Sequence, residues 1–102
     1  MTKVNLRKTV NYDTLETALV KAAKDVGWKA QVKDEFEKVY NLGSVKEAQV
    51  YDSTRFFLRG KLFNAMQVII FNKEPRDYFF VYRGFASEKR VQEYLSAVSK
   101  YL

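Results

Sequence analysis

The chain has 102 residues, of which 47% are hydrophobic and 16% aromatic, and it contains no histidine and no cysteine. That length and composition are typical of one globular domain rather than of a disordered segment. Without histidine or cysteine there is no imidazole base, no thiol nucleophile, no disulfide, and no metal site built on either residue. We therefore expect residues 1–102 to form a single domain that is not an enzyme and binds no metal or cofactor.

The net charge of +6 comes from 18 lysines and arginines against 12 aspartates and glutamates. Five of the six arginines lie in the second half of the chain, at positions 55, 59, 76, 83 and 90. Guanidinium groups suit contacts with phosphates and stack on flat rings. A modest positive charge also serves solubility alone, so the charge by itself leaves both interpretations open.

The sequence also bears on compartment and membrane association. The absence of cysteine suits a reducing compartment. The first residues contain no apolar segment typical of a secretory signal, and an apolar run such as residues 68–71 is too short to span a bilayer. The sequence therefore predicts a cytoplasmic protein without a membrane partner.

The first half of the chain predicts one helix, over residues 13–26. Asp13 and Glu16 are spaced as a capping box, and apolar residues recur every three or four positions after them. Gly27 suits the left-handed position that follows many helices. Residues 3–10, before this helix, predict a short strand or an extended arm.

The segments after the helix alternate between apolar and polar residues, which is typical of strands. Residues 28–33 predict a half-buried strand, and the following two residues, Asp34 and Glu35, are interpreted as a turn. The remaining segments are interpreted as a short strand at 36–40, a loop at 41–44, and either a strand or a helical turn at 45–51.

The second half of the chain predicts strands over residues 54–59, 62–71 and 78–85, with a polar, proline-bearing loop at 72–77. A helix capped by Ser87 is predicted to run to residue 102. Together the elements predict an α+β fold. We expect a two-layer sandwich in which an antiparallel sheet of four or five strands carries the N-terminal and the C-terminal helix on one face.

Surplus apolar residues are expected on the second face of this sheet. Where helices cover only one face, the other face is usually polar. Yet residues 68–71 and 78–85 are apolar at both even and odd positions. Because a large exposed apolar patch is unusual for a monomer, we expect the N-terminal arm, residues 41–51, an identical subunit or a ligand to cover the second face.

Basic and aromatic residues alternate on the predicted strands, a pattern typical of surfaces that bind single-stranded nucleic acid. The pattern favours a non-enzymatic module that associates with nucleic acid. Its candidate binding residues are Arg55, Phe57, Arg59, Lys61, Tyr78, Phe80, Tyr82 and Arg83. The competing interpretation is that the rings belong to the core and the arginines form a solvated edge.

Two other functions stay open. The chain is alternatively a protein-interaction or self-assembling module, such as a homodimer, that uses the apolar face of the sheet. It alternatively holds a small apolar ligand between sheet and helices, in a pocket lined by Trp28, Phe56, Phe79 and Tyr94. The acidic cluster of Asp34, Glu35 and Glu37 is interpreted as a solvated turn rather than as a cation site or a hydrolytic carboxylate pair.

Overall fold

The computed structural model describes residues 2–6, 10–41, 48–71 and 79–102, and within them the side chains of all but 34–41, 48–53 and 71. The predicted loop at 72–77, the ring of Tyr78 and most of the predicted loop at 41–44 lie outside the described residues.

Five strands and two helices make up the described fold. In chain order they are β1 (Thr2–Asn5), α1 (Tyr12–Asp25), β2 (Lys29–Asn41), β3 (Ala48–Arg59), β4 (Asn64–Phe71), β5 (Phe79–Gly84) and α2 (Glu88–Tyr101). The strands form one antiparallel sheet in the order β1-β5-β4-β3-β2. The predicted α+β architecture, with a five-stranded antiparallel sheet and an N-terminal and a C-terminal helix, is confirmed.

Helix α1 begins and ends through local hydrogen bonds that the sequence encodes. The side-chain oxygen of Asn11 accepts a hydrogen bond from the backbone N–H of Thr14 at 2.8 Å. The predicted cap at Asp13 is therefore wrong by two residues. Both residue types can cap a helix, but the backbone of Asn11 is extended while Asp13 already lies in the first turn, where its charge favours the helix dipole.

The C-terminal end of α1 confirms the predicted glycine cap. Gly27 has a φ of 79°, the left-handed conformation that glycine adopts without a steric penalty. The N–H of Trp28 donates to the carbonyl oxygen of Ala23 at 2.8 Å, and that of Gly27 donates to Lys24 at 3.0 Å. These two bonds form the Schellman motif that satisfies the last carbonyls of a helix.

Helix α2 is capped by Ser87, as predicted, and it packs on α1. The hydroxyl of Tyr94 donates to the backbone oxygen of Leu19 at 2.9 Å, and its ring lies 5.5 Å from that of Trp28, centroid to centroid. Arg90 also donates to the backbone oxygen of Val26, and its guanidinium carbon is 5.7 Å from the centre of the Trp28 ring. Arg90 thus joins the start of α2 to the end of α1.

The predicted turn at Asp34 and Glu35 is wrong, because β2 runs without interruption from residue 29 to residue 41. Its pairing with β3 instead shifts between Glu35 and Lys38, where two residues of β2 stand opposite one residue of β3. A β-bulge of this kind absorbs an extra residue and increases the twist of the strand without ending it. The segment 45–51 was predicted to be either a strand or a helical turn, and its described residues, 48–51, belong to strand β3.

The segment between β3 and β4 also differs from its prediction. The strand predicted from residue 62 begins at Asn64, and Leu62 and Phe63 lie in the preceding turn with 81% and 76% of their surface exposed. The N–H of Gly60 donates to the carbonyl oxygen of Phe63 at 3.0 Å and closes this turn.

The core lies between the helices and one face of the sheet, which we call the inner face. The sheet contributes alternate residues of its three central strands, and the helices contribute the apolar stripes that their periodicity predicts. The most deeply buried large side chains of the two layers include Leu15, Leu19, Phe56, Leu58, Met66, Val68, Ile70, Phe80, Tyr94 and Val98, none more than 2% exposed. Neither described helix is long and apolar enough to cross a membrane.

Replacing Gly84 by alanine should destabilise the fold, because the added Cβ would lie 2.9 Å from Cγ2 of the buried Val91. Overpacking of this kind costs about 1–3 kcal/mol of unfolding free energy, measurable by urea denaturation. Gly60→Ala is the matched control, since its Cβ would meet nothing closer than 3.7 Å. Equal stability of the two variants would contradict the close approach of α2 to β5.

Tyr94→Phe should lower the unfolding free energy by about 1 kcal/mol, because it removes the buried hydrogen bond to the carbonyl oxygen of Leu19 and keeps the ring. Tyr101→Phe, which removes an exposed hydroxyl from the same helix, should change it by less than about 0.5 kcal/mol. Thermal unfolding followed by circular dichroism compares the two. If both variants unfold like the parent protein, the Tyr94 bond contributes nothing.

Candidate functional site

The sheet has a second face that no described helix covers, and we call it the outer face. It is formed by the strand residues that alternate with the core positions and are aligned by the pairing of all five strands. Its described side chains are Lys3, Asn5, Lys29, Gln31, Lys33, Arg55, Phe57, Arg59, Asn64, Gln67, Ile69, Phe79, Val81 and Arg83.

One row of the outer face crosses the whole sheet in register. It runs from Lys33 through Arg55, Ile69 and Val81 to Lys3. Ile69 is 0% exposed and Val81 is 2% exposed, so the apolar centre of the face is buried within the single chain. Residues 2–5 do not lie over this face, since β1 extends the edge of the sheet beside β5. Basic residues thus stand at both ends of a buried apolar pair.

A second row places an aromatic ring among polar and basic neighbours. Phe57 is half-buried, and its register partners are Gln31 on β2 and Gln67 on β4. Along its own strand, Arg55 and Arg59 extend from the same face, and the guanidinium carbon of Arg55 is 5.7 Å from the ring centroid. The partly exposed ring of Phe57 therefore has a glutamine on each neighbouring strand and an arginine two residues away in each direction along its own strand.

Two pairs of like charges face each other across β2 and β3. Lys29 is the register partner of Arg59, and Lys33 is that of Arg55. Directly opposed residues of neighbouring strands have Cβ atoms about 5 Å apart, and like charges in that position destabilise a sheet. Lys29 and Arg59 therefore concentrate positive charge at one end of the outer face, in a pairing that by itself disfavours the sheet.

The described charges are distributed unequally between the two layers. The helices carry five basic and five acidic residues, namely Lys21, Lys24, Lys89, Arg90 and Lys100 against Asp13, Glu16, Asp25, Glu88 and Glu93. The outer face carries six basic residues, and no acidic side chain is described on it. Lys61, in the turn after β3, adds an exposed cation at one end of this face. Among the described side chains, the positive surplus thus belongs to the sheet layer.

The residues predicted to bind nucleic acid divide between the two faces. Arg55, Phe57, Arg59 and Arg83 lie together on the outer face, and Lys61 lies at its end. Phe80 is instead 1% exposed in the core, and Tyr82 packs against the core from the inner face. Because side chains alternate along a strand, Arg83 on the outer face places both of these rings on the other side. Neither ring is available on the outer face.

The outer-face residues that were not among the sequence candidates include Lys3, Lys29, Gln31, Lys33 and Gln67. All five lie on other strands than the predicted arginines, so only the pairing of strands brings them together. The signal for three of them was the alternation over residues 28–33, which sets two lysines and a glutamine against an apolar side.

The four residues predicted to line an apolar pocket do not share one side of the sheet. Trp28, Phe56 and Tyr94 are buried in the core between the layers. Phe79 lies on the outer face, where the Nζ atom of Lys3 is 4.1 Å from the centre of its ring. These rings therefore do not line a common space.

The helix layer offers a second polar cluster, which differs in character. The hydroxyl of Tyr101 donates to Oδ2 of Asp25 at 2.5 Å, and Nζ of Lys100 is 3.7 Å from the same oxygen. An open cleft of about 260 Å³ lies beside it, lined by Asp13, Thr14, Thr17, Ala18, Lys21 and Tyr101. Charges of both signs neutralise each other here, and no group of three acidic side chains able to hold a metal occurs among the described residues.

The hydrogen bond to Asp25 is the main cause that raises the pKa of Tyr101 above its ordinary value, with desolvation and the carboxylate charge adding to it. Asp25→Asn should therefore lower the pKa of Tyr101, as measured by NMR titration of its ring carbons. Asp13→Asn, which removes the same charge from the other end of α1, should leave it unchanged. Since the pKa is raised on folding, this bond stabilises the fold fully below pH ~10 and progressively less as the pH rises further. An unchanged Tyr101 titration in Asp25→Asn would contradict this.

The comparisons with known proteins give no relative from which a function can be transferred. No family model, no curated protein and no solved structure matches the chain. Among the described side chains, the outer face is the surface that combines charge of one sign with a partly exposed ring.

Proposed function

We propose that this protein is a non-enzymatic binding module that associates with nucleic acid through the outer face of its sheet. The observation that carries the proposal is the cluster of six cations on this face, Lys3, Lys29, Lys33, Arg55, Arg59 and Arg83. A nucleic-acid backbone is a ligand of complementary charge, since it presents regularly spaced phosphate anions that lysine and arginine neutralise.

The like-charge pairs support a ligand rather than solubility as the reason for this charge. Scattered charges of both signs, as on the helices, keep a protein soluble without internal repulsion. Lys29 opposite Arg59 instead places two cations at neighbouring positions, where their repulsion opposes folding. A bound phosphate between them would relieve that repulsion and gain from both charges.

A homodimer through the same face is the less favoured alternative. The argument for such a dimer is that it would bury an exposed apolar surface, but Ile69 and Val81 are already buried within one chain. Two copies joined face to face would also bring two sets of six cations together, which is repulsive without an intervening anion. A polyanion fits the outer face better than a second copy does.

Binding to nucleic acid through these cations should depend steeply on salt. If all six contact phosphates, the logarithm of the association constant for a single strand should fall against log salt with a slope of about −4. The affinity would then drop about 300-fold between 50 and 200 mM salt. Fluorescence anisotropy of labelled oligonucleotides, single-stranded and duplex, measures this slope. No binding to either at low salt would refute the proposed function.

The variant Lys33→Gln with Arg59→Gln tests whether the outer face is the surface used. Removing two of six phosphate contacts should reduce the salt slope from about −4 to about −3 and weaken binding to every sequence alike. The matched control is Lys24→Gln with Lys89→Gln, which removes the same charge from exposed positions on the helices. If the control weakens binding as much as the outer-face variant, the effect is one of net charge and the proposed surface is wrong.

A further inference from the structure

Three parallel rows of side chains organise the exposed part of the outer face. The middle row consists of Gln31, Phe57, Gln67 and Arg83. The rows on either side begin with the cation pairs Lys33–Arg55 and Lys29–Arg59. Since alternate residues of a strand rise by about 7 Å, the ring and its amides lie between two cation pairs about 13 Å apart.

The middle row has the chemistry of a base-binding strip. An aromatic ring stacks on any base, because every base has a flat π face. A glutamine amide both donates and accepts hydrogen bonds, which suits the edges of bases rather than phosphates alone. Gln31 is exposed and Gln67 is half-buried, and each is the register partner of Phe57, so their Cβ atoms lie about 5 Å from its own.

A binding surface for phosphates alone would not need this row. Cations in place of Phe57 and its two glutamines would strengthen attraction to a backbone, whereas a ring there costs exposed apolar area. The exposed part of the ring offers a surface on which a flat group can stack. In a duplex the bases are stacked and paired inside the helix, and their faces are out of reach.

The dimensions of the outer face also disfavour a duplex as the ligand. Five strands at about 4.8 Å spacing form a surface roughly 20–25 Å wide. The major groove is about 12 Å wide and admits a helix or a two-stranded ribbon, not a broad sheet. Unpaired bases, in contrast, can be laid flat on a sheet surface.

We infer that the ligand of the outer face is a single-stranded nucleic acid, whose base stacks on Phe57 between Gln31 and Gln67 while its backbone contacts the exposed cations on either side, Lys33 in one row and Lys29 with Arg59 in the other. This inference rests on the proposed function and adds the class of nucleic acid and the means by which bases are held. Phe57 contacts the base, and the two glutamines contact its edge.

The test compares one oligothymidine of about 12 nucleotides with a duplex of the same length, bound to the parent protein and to Phe57→Leu. The single strand should bind at least about tenfold more tightly than the duplex. Loss of one stacked base should weaken single-strand binding by about 5- to 150-fold. The salt slope and the binding of the duplex should not change, since leucine removes no charge.

Two further variants separate stacking from damage to the fold. Phe57→Tyr keeps a flat ring and should retain most of the affinity for the single strand. Tyr101→Leu removes a ring from the helix layer and should leave binding unchanged. Circular dichroism and thermal unfolding of each variant show whether it folds as the parent protein does.

The outcomes distinguish this inference from the proposed function. Equal affinity for single strand and duplex, with Phe57→Leu and Phe57→Tyr both binding like the parent, would overturn the inference and leave the proposed function standing. Absence of binding to either oligonucleotide at low salt would overturn both, including the case in which only anionic lipid vesicles bind. Preferential binding of the single strand, lost in Phe57→Leu and kept in Phe57→Tyr, would establish the inference.

Discussion

The sheet has two faces, and the two described helices cover only one of them. Each helix has 14 residues and is about 21 Å long, and two helices packed about 10 Å apart cover a width of roughly 20 Å. That is close to the width of five strands, so the helix pair shields the inner face and no described helix lies over the outer one. Alternate residues of every strand therefore belong either to the inner face, which is buried against the helices, or to the outer face, which no described helix covers. The charge distribution, the core and the candidate site all follow from that division.

The arginines of the second half of the chain serve two different purposes. Arg90 is used internally, because it donates to the carbonyl oxygen of Val26, pairs with Glu93 at 2.5 Å and lies over Trp28. Arg55, Arg59 and Arg83 instead belong to the sheet and extend from its outer face. Grouping arginines by sequence alone would combine these roles, whereas the element on which each arginine lies separates them. Arg90 is held at the junction of the two helices, whereas Arg55, Arg59 and Arg83 lie on strands of the outer face.

The sequence predicted the fold well where a local pattern carries the information. The apolar stripes of both helices, the Gly27 cap of α1, the Ser87 cap of α2 and the alternation of Arg55, Phe57 and Arg59 are all local. The turn expected at Asp34 and Glu35 was wrong, because polar residues suit a bulge as well as a turn. The candidate site was incomplete because its rows cross strands, and only the register shows that Gln31 and Gln67 flank Phe57. In β5 the sequence did contain a local signal for which rings are buried. A charged residue such as Arg83 is expected to face away from the core, so Phe80 and Tyr82, at positions of the other parity, are expected to face it.

Lysines also stand on the two edge strands of the sheet, Lys3 on β1 and Lys29 and Lys33 on β2. An edge strand presents unpaired backbone groups that can template another strand, and lysine at the edge is a common means of preventing such aggregation. The cations offered to a polyanion are thus also the ones that keep separate copies from joining into a longer sheet. Neutralising these lysines without covering the edge would remove this protection. Aggregation is therefore opposed in two states of the protein: with the lysines charged, or with a bound ligand covering them.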